Sequence, residues 1–507
     1  MPRLRYIPGK KVGIAVGFFL RSFFVCISPG NVGWILSVAQ ETAQFFLTFA
    51  SLFFYAWGEP RFVLVMLLSI LMNYGFGLLV AWRDSPRYQK WVLTGMVAAN
   101  LSLFFVFKYL NFTIQNLNYL FHGAILQTHI ALPIGISFFT FQAMSYVFDV
   151  AWGRGEVQKN PLNVMLYVSL FPQLIAGPIV RYETVAKEIQ LRRENLPDFL
   201  SGTRRFTVGL AKKVLLSNSI ALLADQAFNA AAVSQLSLAM SWLGVLAYAF
   251  QIYFDFSGYS DMAIGLGLMF GFHFEENFRY PYISRTVAEF WQRWHISLSS
   301  WFRDYLFYPV SRKAVPLGRK IKKRWGKTAG RLVPTVLALA VVWLSTGVWH
   351  GASWGYILWG VYYGVLLICG LVFQPMVKRW TRRLHVNTQA PWFAGLQILR
   401  TMVLVLLGYV LFRSNSMGRA VEYFGAMFGL TGNAAADPGV WEALRSHASV
   451  LALCALGSTP IVPWLARKTE GMPGVELLKD GACLVLLVLS AACIVSSSCN
   501  PFIYFAF

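Results

Sequence analysis

Residues 332–377 contain no Asp, Glu, Lys or Arg. One membrane-spanning helix needs about 20 apolar residues, so this run is long enough for two crossings. It is flanked by two basic segments, residues 312–331 with nine Lys or Arg and residues 378–383. Excess basic charge in short connections marks the cytoplasmic side of a membrane. Both ends of the run are therefore expected on that side, which predicts a helical hairpin that enters the membrane and returns.

Similar runs recur along the chain. They lie at 42–58, 62–81, 91–107, 131–148, 161–180, 214–274, 396–412, 448–465 and 481–507. The 507 residues are 57% hydrophobic and 13% charged, whereas soluble domains carry about 25% charged residues. This composition predicts an all-α, polytopic membrane protein with about ten to thirteen spanning helices, some of them short, re-entrant or interfacial. Because no repeat or long hydrophilic linker appears, we expect a single integral-membrane domain over 1–507.

The formal net charge of +22 does not indicate nucleic-acid binding, because the basic residues gather in short loops and no soluble basic module is visible. The six cysteines are scattered without a CxxC or another metal-ligand spacing, so no metal site is expected. Residues 1–30 combine basic residues with an apolar stretch that Arg21 interrupts. An uncleaved first span or an interfacial helix fits this segment better than a cleaved signal peptide.

His350 lies in the sequence GVWHGASW, at the middle of the uncharged run. The predicted hairpin therefore places its imidazole at the reversal, far from the cytoplasmic ends, and Gly347, Gly351 and Gly355 would loosen the helix there. An ionisable group in such a place either faces a protein interior or water-filled cavity, or hydrogen-bonds a carbonyl beside an interfacial aromatic belt. Both interpretations fit His350 on its own.

A second histidine lies in residues 289–309, EFWQRWHISLSSWFRDYLFYP, a segment too charged to cross a membrane alone. On a continuous helix, Trp291, His295 and Phe302 would share one face. The segment suits either an amphipathic anchor at the membrane interface or a helix inside the bundle whose polar groups line a cavity.

Two carboxylates, Asp255 and Asp261, lie in the apolar segment QIYFDFSGYSDMAIGLGLMFGF at 251–272. Carboxylates in such surroundings are paired, hydrogen-bonded to nearby hydroxyls, or functional. Ser257, Tyr259 and Ser260 could satisfy them locally. The sequence leaves the structural and the functional interpretation equally open.

These segments together resemble the membrane-bound O-acyltransferase family, in particular its bacterial branch that acetylates exopolysaccharides such as alginate. The resemblance also rests on LFFYAW at 52–57, LPIGISFFTFQAMSYVFDV at 132–150, SLFPQLIAGPIVRY at 169–182 and the terminal PFIYFAF. It covers residues 40–507, with the family core at about 130–415. Residues 1–40 do not match, and AWGRG at 151–155 departs from the tyrosine-arginine-glycine turn common in the branch.

The resemblance implies a ring of membrane helices around a tunnel, with His350 and His295 at the positions of the family's two polar site residues. It implies no bound cofactor, an acyl donor such as acetyl-CoA or another acyl thioester, and an exopolysaccharide acceptor. It also implies a multi-pass protein of the bacterial inner membrane that works with periplasmic acetylation proteins of the SGNH-hydrolase type.

Acyl transfer to a sugar needs a base, because a hydroxyl is a poor nucleophile at neutral pH. His350 suits that role, and oxyanion donors could come from Trp349, Trp354, backbone N–H groups around Gly351, or His295. The candidate substrate-binding residues are Asp255, Asp261, Trp349 and Trp354. Four alternatives stay open here: relay through a partner with its own serine nucleophile, D-alanyl transfer to teichoic acid, a transporter, and a non-catalytic scaffold.

Overall fold

The computed structural model describes residues 40–175, 177–496 and 502–503. Within these residues the regular structure is helical, and the single β-bridge joins Phe278 and Trp294. The first ten α-helices are α1 (Gln40–Gly58), α2 (Val63–Trp82), α3 (Pro86–Phe104), α4 (Leu110–Phe121), α5 (Ile136–Ala151), α6 (Pro161–Ser169), α7 (Tyr182–Leu191), α8 (Leu196–Ala211), α9 (Asn218–Phe228) and α10 (Leu238–Met269). The others are α11 (Val287–Arg293), α12 (Ile296–Phe302), α13 (Tyr308–His350), α14 (Trp354–Arg383), α15 (Pro391–Arg413), α16 (Met417–Met427), α17 (Pro438–Gly457), α18 (Ile461–Lys468) and α19 (Val475–Ser496).

Within the described part of the chain, seven helical segments are long and apolar enough to cross a membrane, or eight if α17 and α18 form one bent span. The predicted all-helical, multi-pass architecture is confirmed. The segments are Val63–Trp82, Pro86–Phe121, Leu196–Phe228, Ile296–His350, Trp354–Arg383, Pro391–Arg413 and Val475–Ser496.

The seven or eight spans found among the described residues are fewer than the ten to thirteen that the apolar runs predict for the whole chain. The runs at 131–148 and 161–180 contain helices of only 16 and 9 residues, which at about 1.5 Å per residue are too short to cross the hydrocarbon. Most of α5 is buried, so its apolar residues pack against protein. The predicted first span or interfacial helix in residues 1–30 lies outside the described residues.

The described residues form two compact units. The first contains the residues up to Val214, Phe256–Glu276 and the residues from Lys479 onward; the second contains Leu215–Asp255 and Asn277–Leu478. The single domain expected over 1–507 stays a prediction.

In the first unit, α8 packs against the second half of α10 through glycines. A methyl group on Gly209 would lie 2.6 Å from the carbonyl oxygen of Gly258, and one on Gly265 would lie 2.6 Å from that of Gly202. The two glycines of each helix are seven residues apart and share a face, so the backbones approach closely, as small residues allow in membrane helices. Asp261 lies between Gly258 and Gly265, which brings it against α8.

In the second unit, α13 and α14 form the hairpin predicted for residues 332–377. The chain reverses at residues 351–353, and α14 ends in the basic segment that contains Arg382 and Arg383. A methyl group on Gly347 would lie 2.6 Å from the carbonyl oxygen of Tyr356. Gly347 therefore permits the close contact of the two helices, and the reversal immediately after His350 is confirmed.

The helix expected to continue through residues 289–309 is interrupted, so that prediction was wrong. α11 ends at Arg293 and α12 begins at Ile296. His295 between them has φ 46° and ψ 55°, a left-handed backbone conformation that cannot continue a right-handed helix. The segment is also buried at Phe290, Trp294, His295 and Leu298, so it is an internal part of the second unit and not an exposed anchor.

Candidate active site

His350 is the last residue of α13 and is held among aromatic rings of the second unit. The rings of Trp349 and Trp359 each lie 4.8 Å from the imidazole, at interplanar angles of 79° and 81°. Phe412 from α15 lies edge-on at 5.2 Å, and Tyr356 lies at 6.4 Å. Aromatic pairs favour such edge-to-face arrangements. His350 as a residue is half-buried and its Nδ1 is buried, so these rings orient the imidazole.

The second histidine lies close to the first. The ring of His295 is 6.2 Å from that of Trp349, and Trp349 packs directly against His350. His295 and Trp349 are each 2% exposed. The structure therefore brings His350, His295 and Trp349 together, although 54 residues separate Trp349 from His295 in the sequence.

Asn277 fixes the orientation of His295. Its side-chain oxygen Oδ1 accepts hydrogen bonds from Ser297 N at 3.2 Å and from Ser297 Oγ at 2.9 Å. The same oxygen lies 3.2 Å from Nδ1 of His295. An amide oxygen only accepts hydrogen bonds, so Nδ1 of His295 carries the proton and donates to it. In the neutral ring the lone pair is then on Nε2.

The backbone around His295 supports this arrangement. Ile296 N donates to the carbonyl oxygen of Asn277 at 3.0 Å, and Arg279 N donates to that of Arg293 at 2.9 Å. These bonds pair residues 277–279 with 293–296, so the left-handed conformation of His295 is enforced by its surroundings. Strained backbone of this kind is often found at functional sites.

The protonation state of His295 follows from its burial. Burial lowers the pKa of its imidazole to about 3, because the charged form is poorly solvated there. His295 lies one residue before the segment Ile296–His350, which is long enough to cross the membrane. Because its pKa is low, His295 is neutral at physiological pH and presents Nε2 as a proton acceptor. Donation of a hydrogen bond from His295 to an oxyanion is therefore disfavoured, because the N–H of its neutral ring is already bonded to Asn277.

Trp359 supplies a polar group that the sequence reasoning missed. Its side chain is 3% exposed, and its indole Nε1 has no hydrogen-bond partner among the described residues. A buried N–H without a partner is costly and rare. Its ring contacts His350, so this N–H is a candidate donor to a negatively charged intermediate. The only sequence signal for it was its place in the uncharged run 332–377, nine residues after His350.

The remaining candidate residues lie in different surroundings. Trp354 begins α14 and is 55% exposed, unlike the buried Trp349. Asp255 is 2% exposed and belongs to the second unit. Ser217 Oγ lies 3.5 Å from its carboxylate and donates at 3.1 Å to the carbonyl oxygen of Gln251.

Asp261 is paired with two cations inside the first unit. Its carboxylate accepts from Arg205 Nη2 at 2.7 Å and from Lys212 Nζ at 2.6 Å. Arg205 also forms an ion pair with Glu276 at 2.5 Å. Ser257 Oγ and Ser260 Oγ have no hydrogen-bond partner among the described residues, so Asp261 is satisfied by cations and not by these hydroxyls.

No group of three or more His, Cys, Asp or Glu side chains in the described ranges is placed to hold a metal ion. The candidate site offers two imidazoles and an indole N–H in surroundings of low polarity, where electrostatic interactions are stronger than in water.

Comparison with known proteins places this site in a family. Residues 158–411 match the model of the membrane-bound O-acyltransferase family, and this range includes Asn277, His295, His350 and Trp359. A probable alginate O-acetylase of Pseudomonas putida is 34% identical over 96% of this chain and 99% of its own length.

Two further relatives carry different names. A peptidoglycan O-acetyltransferase of Helicobacter pylori is 31% identical over 81% of this chain and 79% of its own length. A teichoic acid D-alanyltransferase of Bacillus subtilis is 30% identical over 55% of this chain and 68% of its own length. The similarity thus extends over more of the chain in relatives named for O-acetylation.

Proposed function

Because the chain belongs to the membrane-bound O-acyltransferase family, and is therefore an O-acyltransferase, we propose that it transfers acetyl groups to the hydroxyls of an exopolysaccharide such as alginate. The observation that carries the proposal is the cluster of His350, His295, Trp349 and Trp359, in which the imidazole of the half-buried His350 is held among buried aromatic rings. The relatives named for alginate acetylation support the acceptor.

His350 acts as the general base in this proposal. It takes the proton of the attacking sugar hydroxyl as the hydroxyl oxygen attacks the carbonyl carbon of an acyl thioester such as acetyl-CoA. The carbonyl oxygen becomes an oxyanion, which the Trp359 indole N–H stabilises together with backbone N–H groups near Gly351. The intermediate then expels the thiolate. The thiolate takes from His350 the proton that the sugar hydroxyl gave up, and the products are an ester and a thiol.

His295 assists through its neutral Nε2. A lone pair at this position can accept a hydrogen bond from the donor or the acceptor and align it with His350. The ring of Trp349 contacts both imidazoles, and its proposed role is to confine the substrates beside them. We propose weaker involvement for Trp354, because it is exposed, and for Asp261, because its ion pairs neutralise it. We propose the same for Asp255, whose carboxylate lies beside Ser217 Oγ.

The proposed location is the bacterial inner membrane, with donor and acceptor on opposite sides. The basic ends of the hairpin of α13 and α14 mark the cytoplasmic side, and His350 lies at the other end. A cytoplasmic donor would thus reach inward, while the polymer arrives from the periplasm. Periplasmic acetylation proteins of the SGNH-hydrolase type are the proposed partners.

D-alanyl transfer is the less supported alternative, because the relative named for it matches a smaller part of this chain. A scaffold would not require His350, and a transporter would show substrate flux in place of acyl transfer. The test is to express the wild-type protein and the His350→Ala variant in a strain that lacks the native protein, and to quantify ester-linked acetate on the secreted polymer. We expect acetate only with the wild type. Normal acetylation with a well-expressed His350→Ala variant would refute the proposal.

A further inference from the structure

Residues 312–331, here called the basic hairpin, form an exposed cationic surface on α13. All nine of its Lys and Arg residues are exposed, and the chain contains no Asp or Glu between Asp304 and Glu422. None of the nine forms an ion pair with a described residue. Among the described residues this charge has no ion-pair compensation, so an anionic partner from outside would be attracted to it.

The backbone of the basic hairpin brings its charges close to the start of a membrane span. α13 is broken at Gly326, where φ is 88° and ψ is 171°, and the helix that precedes this turn folds back on the one that follows. A methyl group on Gly318 would lie 2.6 Å from the carbonyl oxygen of Gly330 and 3.1 Å from Pro334 Cγ. The two arms are therefore antiparallel, and the second arm continues into the apolar run.

The way in which the two arms are paired sets the depth at which the charges lie. Gly318 lies beside residues 330–334, so Arg312, six residues away along the first arm, lies about 9 Å further toward the membrane interior. The charges thus extend from the tip of the hairpin to the level of the first apolar turns. The polar headgroup layer of each leaflet is only about 5–8 Å thick, and long basic side chains can reach it from either side.

Apolar side chains are exposed among these charges. Trp325 at the tip is 71% exposed, and Val315 and Leu317 on the first arm are 40% and 43% exposed. Tryptophan is enriched at the interface between lipid and water, because its ring is apolar and its N–H is polar. A surface that combines exposed lysines, arginines and apolar residues beside a spanning helix is typical of binding to a lipid surface.

We propose that the basic hairpin binds the phosphate headgroups of anionic phospholipids in the leaflet that faces the cytoplasm. Each Lys or Arg near such a surface contributes to binding, and clusters of four to eight are sufficient for recognition. The charges flank a helix that enters the bilayer, which favours lipid over an acidic protein as the partner. The interaction is separate from acyl transfer, since it involves no residue of the candidate active site.

The experiment compares two full-length variants that lose the same number of positive charges. The hairpin variant carries Lys320→Gln, Lys322→Gln, Lys323→Gln and Arg324→Gln. The control variant carries Arg87→Gln, Lys90→Gln, Arg445→Gln and Arg467→Gln, four exposed residues dispersed over other helices. Purified proteins in neutral detergent receive phosphatidylglycerol and phosphatidylcholine in equal amounts, and native mass spectrometry counts the lipids that remain bound.

We expect the wild-type protein and the control variant to retain phosphatidylglycerol in preference to phosphatidylcholine. In the hairpin variant, the ratio of bound phosphatidylglycerol to bound phosphatidylcholine should fall by about tenfold or more. Because salt screens charges, the preference of the wild-type protein should also weaken as the salt concentration is raised. If the hairpin variant fails to fold, the double variant Lys322→Gln with Lys323→Gln and the salt series decide the question.

Three outcomes would overturn the proposal. The first is an unchanged lipid preference in the hairpin variant. The second is complete displacement of phosphatidylglycerol by an equal concentration of inorganic phosphate, which would indicate a site for free anions. The third is a hairpin variant that keeps its lipid preference but no longer binds an acidic acyl-carrier protein that the wild type binds, which would indicate a protein docking surface.

Discussion

Asn277 Oδ1 accepts a hydrogen bond from His295 Nδ1 across 3.2 Å, and this contact determines which nitrogen of His295 is available for chemistry. Ser297 donates to the same oxygen through its backbone N–H and its hydroxyl. The backbone N–H can only donate, so a reversed amide would lose that bond and bring two N–H groups together. The Nδ1–H tautomer of His295 follows from the donors and acceptors around it. Asn277 thus orients His295, as hydrogen-bond partners orient catalytic histidines in other proteins.

Removing His350 should abolish acyl transfer. The His350→Ala variant loses the base, and base assistance contributes roughly a hundredfold to ten-thousandfold. The measurement is the rate of acetyl transfer by purified protein in proteoliposomes. His129→Ala, which changes an exposed loop histidine, is the matched control and should keep full activity. Comparable rates in the two variants would be incompatible with a catalytic His350.

Substituting Asn277 should change the pH profile. In the Asn277→Asp variant a carboxylate faces His295 Nδ1 and stabilises the imidazolium, so the pKa of His295 rises from about 3. Protonation then removes the Nε2 lone pair, and the acidic limb of kcat/KM should move to higher pH. Asn277→Ala should lower kcat by about tenfold to a hundredfold, as observed for residues that orient catalytic groups.

The control for Asn277 is Asn387→Asp, which adds the same charge in an exposed loop. A purely structural role of Asn277 would lower the amount of folded protein in both variants at position 277 and leave the pH profile unchanged. A profile that is identical in the wild type and the Asn277→Asp variant would therefore contradict the positioning role.

Trp359→Phe should lower kcat with little change in KM. Phenylalanine preserves most of the ring contact with His350 but lacks the indole N–H, and the loss of one oxyanion donor costs about a hundredfold to a thousandfold in kcat. The exposed Trp354→Phe change is the control and should be nearly silent. If Trp354→Phe reduced kcat and Trp359→Phe did not, the assignment of the oxyanion donor would have to move to Trp354.

The Asp261→Asn variant distinguishes a structural role of this carboxylate from a role in substrate binding. Loss of one partner leaves Arg205 and Lys212 without their shared anion, which should cost about 2 kcal/mol of stability, less than for a fully buried pair because both cations are partly exposed. Thermal unfolding in detergent measures this effect, with Asp480→Asn, which breaks the exposed pair with Arg204, as the control. Unchanged stability together with lost acyl transfer would instead assign Asp261 to substrate binding.

The amino-acid sequence alone determined the membrane architecture and the location of the reversal at His350. Both follow from local properties, since long apolar runs indicate membrane helices and basic flanks set their direction. The number of crossings did not follow, because two of the runs contain helices that are too short to span. The segments that carry the family resemblance contained His295, Trp349 and His350.

Only the tertiary structure decided which of those residues meet. The break at His295 depends on hydrogen bonds to residues 277–279, and the helical period of 289–294 gives no sign of it. The rings of Trp359, Phe412 and Tyr356 contact His350 from other helices. Likewise, Asp261 pairs with Arg205 on α8 and with Lys212, the residue that follows α8. Such contacts join distant segments through side-chain packing, which hydropathy and charge patterns do not encode.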